Sequence, residues 1–392
     1  MSSSSSGSPG SRVRNCVAAV VAAALIAVAV AACGGSSDDT DSTSVAATTA
    51  DSSAAAKALK QYTTKPTKLP DLPPLKSTPP SGKEVVLITR AGENSQDICN
   101  GLQAATKVLS WTSKCQYWDG TNPAQLNSMM LSAVNTGAAA IALTSPQLPT
   151  IAEALSAAKA KGTVVAVIAP VGDEIPPGVT AFIDTIPASA EGWGASLGTA
   201  IAADAAESGE TAHVGVVSDP QLSEVFQPVS DAVTATLEKF CPDCTTEQID
   251  VSFADVSANR AGEVIVSHLQ AHPDINYLYF SAGLFEVGVR PSLDGAGMGE
   301  VKIFGMIPGC AQLKEMNDGG SSGWTIVPSA FDAWSAVDVA ARQMTGGDPT
   351  IHNDLAEPLW LVTPETGVQS CPVPQFPENY EEQFSQLWKG NG

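Results

Sequence analysis

From residue 83 onward the chain alternates between short aliphatic or β-branched runs and longer segments with helical spacing of apolar residues. Pro123 opens one predicted helix and Gly162 closes the next, as expected for helix termini. In this half the predicted strands read KEVVLITR, CQYWD, AAAIALT, TVVAVIA and VTAFIDT, and the predicted helices are residues 98–110, PAQLNSMMLSAVN and TIAEALSAAKAKG.

A long helix of small residues, SAEGWGASLGTAIAADAAESG, leads into a second half with the same plan. Short buried strands between helices of this length are typical of parallel sheets covered on both faces, so we expect an α/β fold with two doubly wound parallel-sheet lobes. Ligands of such sheets bind beyond the carboxyl ends of the strands. The second-half strands read HVGVVS, EQIDV, INYLYF, VKIFGM and WTIVPS, and its helices are residues 224–240, 259–271, 310–317 and AFDAWSAVDVAARQMTGG.

An apolar run at residues 17–30 precedes this pattern and follows Arg12 and Arg14. The run ends in VAAC, and Cys33 at this point resembles the lipobox cysteine of bacterial lipoproteins, which is lipidated and becomes the new N-terminus. We therefore expect a signal peptide over residues 1–32 and lipidation at Cys33. The alternative is an uncleaved membrane helix over 15–32, because this stretch is close to the ~20 residues that a span needs. Both interpretations place the rest of the chain outside the cytoplasm, on the outer face of the cell membrane.

Residues 33–82 are of different composition: first Ser, Thr, Asp and Ala, then a Pro/Lys-rich stretch, KPTKLPDLPPLKSTPPSGK. The first part predicts a flexible tether and the second a stiffer spacer of polyproline II type. About 310 residues remain for the two lobes.

Charge restricts the partners of the chain. Asp and Glu total 41 against 20 Lys and Arg, and removal of a signal peptide containing Arg12 and Arg14 would make the net charge of −21 more negative still, −23. A chain of this charge repels phosphate backbones, so we expect no nucleic-acid partner.

Six cysteines follow Cys16 and Cys33, and an even number in an exported chain favours disulfides. The CPDC pair, Cys241 and Cys244, follows a helix and precedes a strand, whereas a thioredoxin-type pair opens a helix after a strand, so a loop disulfide is expected. For the others, the pairs Cys99–Cys115 and Cys310–Cys371 are favoured. Cys99 and Cys115 are predicted at opposite ends of neighbouring elements, which leaves that pair open.

The order of segments over 83–347 resembles the ribose-type periplasmic binding proteins, the substrate-capturing subunits of ABC importers. The resemblance lies in DGTNPAQLNSMMLSAVNTGAAAIALTSPQLPTIAEALSAAKAKGTVVAVI, in AFID followed by EGWGASLG, and in VKIFGMIPGCAQLKEMNDGGSSGWTIVPSAFDAWSAVDVAARQMTGG. It implies three hinge crossings, near Asp184, Val327 and Trp360. Lobe 1 would comprise 83–184 plus 329–358, and lobe 2 would comprise 185–328 plus 359–392. It also implies a monomer that binds a small solute and hands it to a permease, with no enzymatic activity and no cofactor.

The chain departs from the sugar-binding members of that family where they carry polar residues. In SAGLF, Ala282 and Gly283 stand where the family has Asn-Asp, and in GMI, Ile307 stands where it has Asp. Pro328 or its neighbour stands where the family has Gln at the second crossing, and Phe226 stands roughly where it has Arg. Buried sugar hydroxyls require matched hydrogen bonds. We therefore expect a solute other than a simple monosaccharide.

Candidate ligand residues follow from their places at strand ends and helix starts. Arg90 ends the first strand, where it could pair with a ligand carboxylate or with Asp119. Trp193 has small neighbours in EGWGAS that would leave room for a ligand, although aromatic residues at such positions are often ordinary core. The full set is Arg90, Glu93, Asn94, Asp119, Ser145, Asp184, Trp193, Phe226, Phe285 and Ile307.

Three further motifs carry no predicted chemistry. GGSSG at 319–323 lies between a helix and a strand, the reverse of a nucleophile elbow. DGAGMG precedes a strand, so it reads as a turn. His268 and His272 are four residues apart in the last turn of a helix before Pro273, where His favours the helix C-terminus, and no cluster of Cys or carboxylates lies nearby, so we expect no metal site. A sensory receptor of the same fold is the alternative function, and a tethered enzyme would need a catalytic constellation that we do not find.

Overall fold

The computed structural model describes residues 47–90, 93–118 and 122–390. The strands are β1 (Glu84–Arg90), β2 (Thr112–Trp118), β3 (Ala140–Thr144), β4 (Val164–Ile168), β5 (Ala181–Ile183), β6 (His213–Ser218), β7 (Thr245–Asp250), β8 (Tyr277–Phe280), β9 (Lys302–Met306), β10 (Gly323–Ile326) and β11 (Trp360–Val362). The helices are α1 (Ala47–Thr63), α2 (Glu93–Val108), α3 (Pro123–Asn135), α4 (Ala152–Lys161), α5 (Ile186–Ser208), α6 (Ser223–Phe240), α7 (Phe253–Ser257), α8 (Ala261–Ala271), α9 (Val289–Gly295), α10 (Cys310–Asn317), α11 (Ser329–Thr345) and α12 (Tyr380–Trp388). Among these helices, none combines the length and apolarity that a membrane span requires.

Two sheets form the frame of the molecule, as the strand pattern predicts. The lobe 1 sheet has the order β2-β1-β3-β4-β5 and is parallel throughout. The lobe 2 sheet has the order β11-β10-β9-β8-β6-β7, and only its edge strand β11 is antiparallel. Helices bury apolar clusters against both faces of each sheet. This confirms two parallel-sheet α/β lobes, and it explains why VVAVI in β4 is buried at every position.

The chain passes between the lobes at three places next to strand ends. It leaves lobe 1 after β5, returns after β10 into α11, and passes to β11 after the short helical turn Pro349–Asp354. The third passage is bound to the first. The Phe182 amide donates to Asn353 Oδ1 at 2.8 Å and the Glu357 amide donates to Ser189 Oγ at 3.1 Å. Both carboxyl edges therefore border one hinge.

The N-terminal segment differs from the predicted tether. Ala55 of α1 is buried in the lobe 2 core, and Leu72 and Leu75 are buried in the lobe 1 core. The Pro-rich stretch is held there because the Leu75 amide donates to the Leu387 carbonyl at 2.9 Å. Leu69, Leu72 and Leu75 are three residues apart, which is the repeat that puts side chains on one face of a polyproline II chain. Residues 69–75 are therefore a strap on lobe 1 and part of its fold.

The C-terminal segment also differs from the predicted partition. Val368, Val373 and Phe376 pack in the lobe 2 core, but α12 packs on lobe 1. Trp388 stacks on Trp334 with ring centroids 5.2 Å apart, and its indole donates to Asp338 Oδ1 at 2.7 Å. The last helix therefore buries its apolar face on lobe 1, not on lobe 2.

Three disulfides join the six cysteines that follow Cys33, in the favoured pairs: Cys99–Cys115, Cys241–Cys244 and Cys310–Cys371. The open case, Cys99–Cys115, connects α2 to β2 with 6.0 Å between Cα atoms. Helix α2 begins at Glu93, before the predicted start at residue 98, which places Cys99 in its second turn.

A buried carboxylate cluster connects the loops after β8 and β9. Glu286 is 1% exposed and its Oε2 accepts from Gln312 Nε2 of α10 at 3.0 Å, while Oε1 has no partner. Burial, together with the nearby Glu315 carboxylate, raises the pKa of Glu286 to about 8. The protonated form of Glu286 is thus the one that this environment favours.

A substitution in the strap tests whether residues 69–75 belong to the fold. Leu75 is 1% exposed, so Leu75→Ala should lower the free energy of unfolding by about 2–5 kcal/mol, the usual cost of a core Leu to Ala change. Urea denaturation of the purified chain measures this. The matched control is Lys68→Ala, an exposed position in the same stretch, which should change stability by less than ~0.5 kcal/mol. Equal stabilities for the two variants would contradict the strap.

The pKa of Glu286 predicts a pH dependence of stability. Its pKa is raised on folding, so the folded state binds more protons than the unfolded state, and stability from this group is lost as the pH rises toward about 8. Between pH 5.5 and 8.5 this group should lower the free energy of unfolding of the wild type by about 2–3 kcal/mol, since one pKa unit corresponds to ~1.4 kcal/mol. In Glu286→Gln this decrease should be absent. Urea denaturation at these pH values tests it against Glu300→Gln, an exposed position in the same lobe. Parallel profiles for all three proteins would refute the assignment.

Candidate interlobe site

The order of each sheet identifies where a solute site should lie. In lobe 1 the strand order reverses between β1 and β3, and in lobe 2 it reverses between β6 and β8. Open α/β sheets bind ligands outside the carboxyl ends of the strands at these switch points. In lobe 1 the two strand ends are joined by a hydrogen bond of 2.7 Å between the Thr89 and Thr144 hydroxyls. Arg90 and Ser145 follow directly, so the structure places these two predicted residues at one switch point.

Strained backbone marks the same edges. Ser145, Ala169, Asp184 and Ile307 each come directly after a strand and each has a left-handed φ, between 43° and 53°. The turn lets the amides of three of them donate to the ends of neighbouring strands: Ser145 to the Ile168 carbonyl, Ala169 to Ile183 and Ile307 to Thr325. A left-handed residue other than glycine costs ~1–2 kcal/mol, and for β-branched Ile307 the conformation is a clear outlier. Such strain is concentrated at functional sites.

Arg90 is the one predicted cation at this edge. Its guanidinium lies 5.4 Å from the centre of the Trp118 ring, and Nε is buried without a hydrogen-bond partner. Burial lowers the pKa of Arg90. Among the described residues no carboxylate forms an ion pair with it, and Asp119, its alternative partner, lies outside those residues. The partly buried guanidinium of Arg90 can therefore donate hydrogen bonds to an anionic group.

The lobe 2 edge is mainly aromatic. Phe226 at the start of α6 packs edge-to-face on Phe285, which follows β8, with centroids 6.2 Å apart. Phe253, at the start of α7, lies 5.6 Å from Phe285 and is 39% exposed. Phe226 and Phe285, both candidate ligand residues, therefore pack on each other, and Phe285 is fully buried. Phe253, which sequence reasoning did not select, supplies the exposed face of this group.

Few polar groups accompany these rings. The Asp219 carboxylate has a structural role, because it accepts hydrogen bonds from the Gln221 amide at 2.8 Å and from the Phe253 amide at 2.9 Å. Ser218 accepts from Gln248 Nε2 at 2.9 Å. Ser281, directly after β8, is fully buried and its hydroxyl has no partner. Its place after the YLYF run was the available signal for Ser281, and sequence reasoning missed it.

The interpretation of Trp193 is wrong in its premise. A Cβ at Gly194 would lie 2.4 Å from the Ala232 Cβ, so the small residues of EGWGAS allow α5 to pack closely on α6. Trp193 is 3% exposed in the lobe 2 core, although its indole N–H has no partner. Asn94 is half-buried in the first turn of α2, and the Glu93 side chain, Asp119 and Cys33 lie outside the described residues.

Two groups of side chains carry donor sets that could hold a metal ion. His268 and His272 stack with centroids 4.4 Å apart, and both bond to Glu247 Oε1, at 3.0 and 2.9 Å. The expectation that no carboxylate accompanies this histidine pair is therefore wrong, because strand β7 brings Glu247 to it. The second group is Asp184, Asp332 and Glu357 at the hinge, all buried. Asp184 was predicted to face a solute, and the structure places it in this carboxylate group.

Comparison with known structures supports the fold. A solute-binding protein of an ABC transporter from Burkholderia graminis, determined with D-arabinose, has 17% identity and a TM-score of 0.60 over 74% of this chain and 97% of its own. One from Mycobacterium smegmatis with bound glycerol has 16% identity and a TM-score of 0.60 over 76% of this chain and 98% of its own. A periplasmic ribose ABC transporter protein from Conexibacter woesei has 18% identity and a TM-score of 0.60 over 74% and 94%.

Comparison with curated proteins gives no match. Residues 85–348 match the family model described as periplasmic binding protein domain. This range covers both sheets except for β11, together with the first two interlobe passages. The chain therefore belongs to the periplasmic binding protein domain family and has its type I fold of two α/β lobes.

Proposed function

We propose that this protein is an extracytoplasmic solute receptor that closes two lobes on a small molecule and delivers it to an ABC permease. The supporting observation is that the carboxyl edges of both sheets border one hinge, with left-handed residues after strands on both edges. Hinge closure around such an edge removes the solute from water and needs no covalent step. The alternative role as a sensory receptor would use the same closure.

We further propose an anionic solute with an apolar or aromatic body. The Arg90 guanidinium fits a carboxylate, because it is partly desolvated and Nε has no partner. The lobe 2 edge supplies Phe226, Phe253 and Ile307, which suit a ring or a hydrocarbon chain. The solved neighbours with D-arabinose and glycerol hold polyhydroxylated molecules. Hydroxyl groups in this site would find few partners among the described residues of lobe 2.

A thermal-shift screen with a variant pair tests the solute class. Aromatic and aliphatic carboxylates at 100 times their dissociation constant should stabilise the protein by ~2.7 kcal/mol. Arg90→Gln should weaken their binding by about 2–5 kcal/mol, the usual effect of removing one side of a buried charge pair. The control is Arg260→Gln, whose exposed guanidinium pairs with Asp255 at 2.5 Å. Stabilisation by pentoses, hexoses or glycerol alone, unchanged in Arg90→Gln, would contradict the proposed class.

We propose that the receptor is held at the membrane by a lipid on Cys33, after removal of residues 1–32. Cells that express the chain should incorporate labelled palmitate into it, and Cys33→Ser should abolish the label. Cys16→Ser, which alters a cysteine inside the signal peptide, should keep the label. An uncleaved membrane helix would instead leave Cys33→Ser at full length and membrane-bound, with no label in any of the three chains.

A further inference from the structure

Three carboxylates meet at the hinge, and each belongs to a different passage of the chain between the lobes. Asp184 directly follows β5, Asp332 lies in the first turn of α11 after β10, and Glu357 precedes β11. One oxygen of each side chain lies within 4.8 Å of the others. Residues far apart in sequence are therefore brought to one point that all three passages share.

Apart from a hydrogen bond between Ser189 and Asp184 and those within the group, most carboxylate oxygens at this point accept no hydrogen bond. Asp184, Asp332 and Glu357 are 8%, 6% and 6% exposed. Asp184 Oδ1, Asp332 Oδ1 and both oxygens of Glu357 are buried without a partner outside the group. Within the described part of the chain, no Lys, Arg or His forms an ion pair with any of the three. Glu357 is more than nine-tenths buried, and the partners of its side chain are the carboxyl groups of Asp184 and Asp332 themselves.

Such a group cannot stay uncompensated. Removal of one ion from water costs several kcal/mol even after relaxation, and like charges at this separation add to the cost. Elsewhere in lobe 1 the chain compensates a buried carboxylate fully: Asp338 accepts from Arg342, His352 and Trp388. At the hinge no basic side chain of the described residues neutralises the carboxylates, so their negative charge must be neutralised by bound protons or by a bound cation.

We propose that Asp184, Asp332 and Glu357 form a binding site for a divalent cation of the calcium and magnesium class. All three donors are oxygens, which such hard cations prefer, and no His or Cys is among them. Calcium binds oxygens at ~2.3–2.6 Å, so oxygens on opposite sides of one ion are ~4.6–5.2 Å apart and adjacent ones closer. The observed separations fit one shared ion. Water or backbone carbonyls would complete its coordination.

The pKa values of the three carboxyl groups also reflect the cost of burying their negative charges. Burial raises the pKa of Asp184 to about 6 and the pKa of Asp332 and Glu357 well above their ordinary values. A cation in the site would replace bound protons and would tie the three passages to one ion. We therefore expect occupancy to stabilise the folded chain and to restrict bending at the hinge, whichever solute the protein binds.

The test measures cation binding by the full purified chain after treatment with EDTA. Titration calorimetry with calcium chloride, and separately with magnesium chloride, at pH 7.5 should give one saturable site for at least one of the two salts. At 100 times the dissociation constant the Tm should rise by roughly 3–6 °C. Glu357→Gln and Asp332→Asn should each weaken binding by at least ~30-fold, as expected when one partner of a buried charged site is lost. Both variants should have a higher Tm than the wild type when no cation is present.

Asp354→Asn is the matched control, because Asp354 is exposed and lies in the same passage as Glu357. It should bind the cation as the wild type does. Absence of saturable binding by the wild type would overturn the proposal and would mean that protons neutralise the group. Equal binding by the wild type and by both hinge variants would also overturn it, because the ion would then occupy another site. The wild-type titration is decisive by itself if the variants do not fold.

Discussion

The molecule depends on one constraint: the chain must pass between two parallel sheets at the edges where their strands end. A strand that ends there leaves backbone groups without sheet partners, and each must be satisfied before the chain turns away. Ser145, Ala169 and Ile307 meet this need with a left-handed turn that returns their amides to a neighbouring strand. Each turn costs conformational energy, so the hydrogen bonds to the neighbouring strand must hold it in place, and such held strain is concentrated at functional sites.

The sequence predicted the strands well because buried parallel strands have a simple signal. VVLI in β1 and VVAVI in β4 are continuous aliphatic runs, and helices with clear ends such as Gly162 separate the strands. The same reasoning could not find the hinge carboxylates. Asp332 and Glu357 are polar residues in segments of mixed character, and only the return of the chain after β10 and before β11 brings them to Asp184. Glu247 met the histidines of α8 for the same reason, through a contact distant in sequence.

Composition was a poor guide where apolar residues are sparse but regularly spaced. Pro-rich sequence suggested a spacer, yet Leu72 and Leu75 lie in the lobe 1 core and the Pro73 carbonyl accepts from Arg342 Nη2 at 2.9 Å. Small residues suggested space around Trp193, yet Gly194 and Gly198 are where α5 meets α6. In both cases the residues are explained by a contact with a distant element, which composition alone does not reveal.

These contacts add two passages between the lobes to the three that the family pattern implies. Helix α1 packs on lobe 2, and the strap that follows packs on lobe 1. The C-terminal segment leaves lobe 2 after Phe376 and ends in α12 on lobe 1. The two additional passages meet each other, since the Glu378 amide donates to the Pro66 carbonyl at 3.2 Å. Any closure of the lobes must therefore bend five connecting segments together. A rotation axis that passes close to all five strains them least. We therefore expect the two additional connections to limit the amplitude of the proposed closure.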